Sequence, residues 1–215
     1  DTGTASGQVP LNSDLGSGSL ANVGTGFDQI PLNADIVYPI ESVQNLAGLV
    51  GTRGDQQISL KGWHPDSDVG GGILYWDAAK PKSEHNGGTV FSPTMPFSTT
   101  TGDYLDGVGE IDAGGSGCWV RLVDGMINAE WFGARNDDSV DNSLILRHIY
   151  KFHSHVFFTS RFWRCDDTVR MTPDLTLYLG NKAWLVRKAP YSISNEPVLF
   201  INGSNVSIIG SGQRN

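Results

Sequence analysis

Apolar residues fall in short runs along this 215-residue chain, broken by Gly, Asn, Ser and Asp. Ile58 and Leu60 alternate with polar neighbours, and Gly70-Gly71-Gly72 opens into Ile73-Leu74-Tyr75-Trp76-Asp77. Thr89-Val90-Phe91 and Cys118-Trp119-Val120-Arg121-Leu122-Val123 follow after turn-rich loops. Each of these runs predicts a strand. Helical spacing occurs twice. Val43, Leu46, Ala47 and Val50 keep i, i+3, i+4, i+7 spacing after Pro39 and predict a short amphipathic helix. Residues 130–153 carry the clearest helix signal, in Leu144, Ile145, Ile149 and Phe152. Asp138 and Asp141 just ahead are expected to serve as N-cap and first-turn carboxylates, matching the orphan amides and the positive helix end.

From residue 154 the pattern returns to β runs: Val156-Phe157-Phe158, Leu175 to Gly180, Val198 to Ile201 and Val206 to Gly210. Their starts are 19, 23 and 8 residues apart. The first two intervals predict rungs of a β-solenoid, and the short last one predicts two faces of the same coil. A stack that stops at Asn215 is expected to leave an uncapped edge.

The first 36 residues differ. They hold few large side chains and no basic residue, but they contain a repeat: Val9 to Leu15 recurs as Ile30 to Ile36, 21 positions later. Both copies read Pro-Leu-Asn-x-Asp, an extended X-Pro start followed by an Asn/Asp turn. Gly16-Ser17-Gly18-Ser19-Leu20-Ala21 lies between them and cannot bury enough apolar surface to order itself. It formally matches a dinucleotide fingerprint, but no strand precedes it. Residues 1–36 therefore read as an arm that orders against something else; the alternative is a plain flexible linker. The start, Asp1-Thr2-Gly3, has neither Met nor a basic-then-apolar signal, so a processed or trimmed terminus is expected.

Composition sharpens this picture. The 27 glycines and 10 prolines suit many short strands joined by turns, and charged residues are only 18% of the chain. A net charge of −8 argues against a nucleic-acid-binding face. No apolar run approaches the ~20 residues of a membrane span. Cys118 and Cys165 are expected to be buried free thiols.

The motifs, in their order, resemble phage tailspike and capsule-depolymerase proteins. Gly71-Gly72-Ile73-Leu74-Tyr75-Trp76-Asp77 is followed by Gly87-Gly88-Thr89-Val90, then Cys118-Trp119-Val120-Arg121, then Glu130-Trp131-Phe132-Gly133-Ala134-Arg135 and the acidic Asn136-Asp137-Asp138. Tyr75, Trp76, Trp119, Trp131, Phe132 and Gly133 are the structural core of that resemblance, which covers roughly residues 40–150. It implies a mainly β chain: a virion-binding arm at 1–36, a small β-rich module at 37–129, a linking segment and helix at 130–153, and from 154 to 215 the first coils of a right-handed parallel β-helix, truncated here. It implies a homotrimer in the virion tail, made in a bacterial cytoplasm. The arm would dock to tail, baseplate or neighbouring spike proteins through Pro10, Leu11, Asn12, Asp14, Pro31, Leu32, Asn33 and Asp35. Host surface polysaccharide would be met by a downstream part. Two competing readings are a secreted bacterial β-helix polysaccharide lyase and a non-enzymatic adaptor for other spikes. The family usually has glycine where this chain has Asn136 and Asp138, two residues that tolerate left-handed backbone.

Candidate chemistry is sparse. Asp137, Asp138 and Asp141 sit where capping accounts for them, and Asp166-Asp167 sits in a turn, whereas glycosidic acid–base pairs need a defined separation across a cleft. His148, His153 and His155 lack zinc-helix spacing and read as packing or trimer contacts. No catalytic residue, metal site or cofactor is therefore expected here. Five of the tryptophans are expected in core or interface, with Trp63, beside His64-Pro65-Asp66, the exposed one.

Overall fold

The computed structural model describes residues 37–98, 100–187, 197–201 and 204–210. Both Pro-Leu-Asn-x-Asp copies lie outside the described residues. The chain divides into two units, Asp1–Tyr38 and Pro39–Asn215, and the hydrophobic core lies in the second.

Strands β1 (Tyr38–Ile40), β2 (Gln57–Gly62), β3 (Gly70–Pro81), β4 (Val90–Phe91) and β5 (Ser116–Arg121) form one sheet in the order β1-β2-β3-β5-β4. β3 runs antiparallel to both β2 and β5. The period of two along each strand separates its faces. Ile58, Leu60, Leu74, Trp76, Phe91 and Trp119 enter the main core. Val90, Cys118 and Val120 form a smaller cluster with Tyr75 on the opposite face. Both cysteines are buried and free, as their spacing and number predict.

Parallel strands take over at β6 (Ile127–Asn128). They continue through β7 (His155–Phe158), β8 (Arg161–Arg164) and β9 (Val169–Met171), then β10 (Thr176–Leu179), β11 (Ala183–Val186), β12 (Leu199–Ile201) and β13 (Ser207–Gly210). The stacks are β13-β10-β7-β6, β11-β8 and β12-β9, so the chain visits three faces in turn and then returns to the first. The register aligns Ile127, Val156, Leu177 and Ile208 in one aliphatic column. Trp163 pairs with Leu185 on the second face, and Val169 with Leu199 on the third. Such columns fix the register, because a slip by one residue would turn every inward side chain outward.

Five expectations need correction. The run from Val43 is a single 3₁₀ turn, Val43–Leu46, not an amphipathic helix. Ala47 is already extended, and Gly48 turns away to donate its N–H to the Pro93 carbonyl at 2.7 Å, which leaves Val50 exposed. Leu122 and Val123 lie beyond the end of β5 and are exposed. The helix predicted on Leu144 to Phe152 is present as Ser143–Phe152, after a 3₁₀ turn Ala129–Phe132, but its expected caps are not: it has no acidic residue in its first turn. Its N-cap is Asn142, whose amide is spent on Arg135, accepting from its N–H and donating to its carbonyl at 2.9 Å each. Asp141, one position earlier, takes over the cap: its Oδ1 accepts from Ser143 N at 3.0 Å and Ser143 Oγ at 2.6 Å. Asp138 instead takes the left-handed backbone that its glycine-equivalent position predicts (φ 66°).

The fourth correction concerns the coils. Val198–Ile201 does not follow Leu175–Gly180 in one stack. β12 pairs with β9, and the rung above β10 is β13, 31 residues on from Thr176 to Ser207. The short step from β12 to β13 is, as predicted, a change of face. The last concerns Trp63, which is 1% exposed, its Nε1–H donating to the Gly87 carbonyl at 2.8 Å. The exposed tryptophan is Trp184, at 60%.

Candidate functional site

The motifs that stand apart in the sequence converge on Arg121. This guanidinium is 5% exposed. Its Nε–H donates to Gly88 O at 3.1 Å, Nη1 to Gly71 O at 2.7 Å and Nη2 to Gly70 O at 3.1 Å. Its Cζ lies 4.8 Å from the centre of the Trp131 ring. One side chain from the Trp-Val-Arg strand thus holds both glycine turns and the Trp-Phe-Gly-Ala segment. Burial brings its pKa down to about 10, so it stays cationic at neutral pH.

Gly70 and Gly133 are required by the same convergence. Both have positive φ, 81° and 84°. A Cβ on Gly70 would lie 2.2 Å from the Glu130 carbonyl oxygen, and one on Gly133 would lie 2.8 Å from the Trp63 ring. Only glycine fits both the dihedral and the space. Phe132 is fully buried, Trp76 and Trp119 meet edge to face at 5.2 Å, and Tyr75 packs with the small second cluster.

Glu130 joins this assembly to the rungs. It is 7% exposed, and its Oε1 accepts from Thr159 Oγ1 at 2.6 Å and Asn136 Nδ2 at 2.9 Å. Thr159 lies between β7 and β8. Asn136, the other glycine-equivalent position, therefore has work for its amide, and its carbonyl accepts from Phe162 N at 3.1 Å. A parallel bridge between Asp137 and Phe162 completes the joint.

Asp137, Asp141, Asp166 and Asp167 do not assemble into an acid–base pair. Asp137 Oδ1 accepts from Ser139 N and Oγ. Asp141 caps the helix and also accepts from Asp166 N at 2.9 Å. Asp166 pairs with Arg164, and Asp167 with Arg147 at 3.1 Å. Hydrogen-bond donors hold Asp137 below the usual carboxylate range, as expected of a turn carboxylate that stays ionised. Among the described residues no group of His, Cys, Asp or Glu could hold a metal ion. His148 and His153 both pack on Phe132, while His155 stacks on Tyr178 across the first face.

Outward from the rungs, Phe162 and Trp184 pair in register on the second face, at 53% and 60% exposure. Arg170 lies 4.8 Å over the Phe200 ring on the third. Shallow depressions flank them, one lined by Asp138, Phe162, Val186 and Arg187, another by Arg147, Asp167, Thr168 and Arg170. The sequence marked none of these rows, because outward aromatics have the same spacing as inward ones.

Residues 39–124 match the family model described as phage tail protein small four-stranded beta-sheet domain. This span holds the antiparallel strands and Arg121. Solved structures share the fold more widely. Tailspike protein 2 of Escherichia coli O157:H7 bacteriophage CAB120 superimposes with a TM-score of 0.57 at 16% identity, over 83% of this chain and 22% of that one. The enzymatically active domain of tailspike protein 4 from bacteriophage CBA120 gives 0.55 at 16% identity, over 83% and 24%. WceF of Pantoea stewartii, described as a glycan biofilm modifying enzyme with a bacteriophage tailspike-like parallel beta-helix fold, gives 0.50 at 17% identity, over 78% and 28%. The fold is mainly β and tailspike-like. The chain spans about a quarter of the length of these structures. No curated protein matches it.

Proposed function

We propose that the chain is the attachment end of a phage tailspike. Residues 1–36 bind the virion through the two Pro-Leu-Asn-x-Asp copies, residues 37–129 form the anchor module, 130–153 link, and the rungs from 154 lead to a β-helix. In the complete protein that β-helix binds and degrades host surface polysaccharide. The observation that carries this reading is the order of parts: a segment matching a phage tail β-sheet domain passes through one buried joint into parallel rungs. Assembly as a homotrimer belongs to the same reading.

Deleting residues 1–36 tests the attachment role. The shortened spike is expected to keep its thermal midpoint and its oligomeric mass but to be missing from purified particles, as read by mass spectrometry of virions. Normal incorporation of the shortened spike would overturn the reading. Light scattering of the 215-residue chain should give about 70 kDa, three times 23.2 kDa. The same chain should leave a host capsule layer intact, since Asp137, Asp141, Asp166 and Asp167 are engaged in caps, turns and ion pairs.

The likeness to the Pantoea stewartii enzyme favours a second reading, a bacterial glycan-modifying enzyme of similar architecture. Incorporation into virions separates the two, since a bacterial enzyme has no place in a particle.

A further inference from the structure

The helix Ser143–Phe152 packs against the short helix Thr101–Leu105, the turn Ala129–Phe132 and β9, and so bears on both the helix that follows β4 and the rungs. Its His148 side chain is only 3% exposed. Both ring nitrogens of His148 face acceptors: Nδ1 lies 2.8 Å from Asp106 Oδ1, and Nε2 lies 3.2 Å from the Asn86 carbonyl oxygen. A neutral imidazole has one N–H and can satisfy one of them. Donation to Asp106 leaves the Nε2 lone pair directed at the carbonyl of Asn86. The imidazolium has two N–H groups and satisfies both.

His85 makes the contrast. Its Nε2 meets the Tyr104 carbonyl at 2.8 Å, while its Nδ1 accepts from Ser92 N at 3.1 Å. The neutral ring uses both nitrogens there, and a second proton would break the Ser92 bond. Asn86 is itself the centre of the turn, its Oδ1 accepting from the N–H groups of Gly88, Thr89 and Val90. Gly87 and Gly88, next in the chain, hold Trp63 and Arg121 through their carbonyls.

We infer that His148 is a proton-operated latch between the anchor sheet and the helix that leads into the rungs. On taking up a second proton from solvent it closes an Nε2–H bond to Asn86 while keeping Asp106, and so ties the Asn86–Val90 turn to the helix. Lys151 Nζ shares Asp106 Oδ1 at 3.0 Å and opposes the proton, whereas the Asp106 carboxylate attracts it. His85 and His153 are the other titratable groups that feel its charge. Burial lowers the His148 pKa from the usual imidazole value, so the latch closes only as the medium is acidified.

An NMR pH titration of the full chain, labelled with ¹⁵N throughout and with ¹³C in histidine, tests the latch. His148 should pass from one N–H to two while the chain is folded, and the Asn86 and Gly87 amide resonances should shift with the same midpoint. Asp106→Asn should move that midpoint to lower pH and Lys151→Met to higher pH, a pair of opposite shifts that a merely structural histidine would not show. His148→Gln should abolish the response of the turn; if that variant fails to fold, the Asp106 and Lys151 variants decide alone. The inference is overturned if His148 stays neutral until the chain unfolds, if the turn does not follow its titration, or if neither neighbouring substitution moves the midpoint.

Discussion

Arg121 has three carbonyl partners and an aromatic face, and among the described residues no carboxylate forms an ion pair with it. Replacing it strands three acceptors, on the buried Gly70 and Gly88 and the half-buried Gly71. Arg121→Met is therefore expected to cost about 2–4 kcal/mol, read from urea unfolding at constant slope. His85 supplies a pH dependence whose sign is fixed by its bonds. Burial lowers its pKa from 6.5 to about 4, so the unfolded chain takes up the proton first. Its contribution is whole above pH 6.5 and declines as pH falls through the window from 6.5 to 4. The loss amounts to roughly 3 kcal/mol by pH 4. Urea midpoints measured across this range should fall for the native chain and fall less steeply where His85 is replaced by Gln, the buried His64, His148 and His153 supplying the remaining slope. The sequence displayed the Trp-Val-Arg motif but not that its arginine is buried, because the glycine carbonyls that receive it lie 33 to 51 positions away.

Strands with strong alternation, β2, β3, β7 and β10, are readable from the chain alone. Five strands escaped: β1 and β6 are only three and two residues long, and β8, β9 and β11, of three or four residues, carry arginine or an exposed aromatic. Interval counting failed at Val198 for a related reason. Consecutive β runs in a three-faced stack belong to different faces, so equal spacing does not mean equal column. The two tryptophans on β8 and β11 show what this costs in prediction. Trp163 is wholly buried, its Nε1 donating to the Thr159 carbonyl at 3.1 Å, and Trp163→Ala should cost about 3–5 kcal/mol. Trp184 points outward, and Trp184→Ala should stay within about 0.5 kcal/mol in thermal or urea unfolding of the isolated chain. Under the trimer reading of this fold, a larger loss that grows with dilution would place Trp184 against another copy.

At the scale of the molecule, the antiparallel sheet and the rungs share one core cluster that runs from Val43 to Leu177. Glu130, Phe132 and His148 sit where they meet. Unfolding of residues 39–215 should accordingly be a single transition, with tryptophan fluorescence and far-ultraviolet circular dichroism coincident. Two separated transitions would show the joint to be weaker than its buried bonds suggest. The order of motifs in the sequence pointed to this junction and to Asn136 within it, while Thr159, the other partner of Glu130, belongs to no motif.

Arg121 also bears on the time course of folding. Its bonds join segments far apart in the chain, and none can form until β3, β5 and the Gly87-Gly88 turn are already side by side. Bringing such distant segments together costs loop-closure entropy, so these bonds are expected to form after the main barrier. Arg121→Met should therefore steepen the escape from the native state, raising the unfolding rate by roughly the full stability loss, while refolding in stopped-flow mixing proceeds at nearly the native rate. The guanidinium would then act as a bolt: it contributes little to finding the structure and much to how long the structure persists.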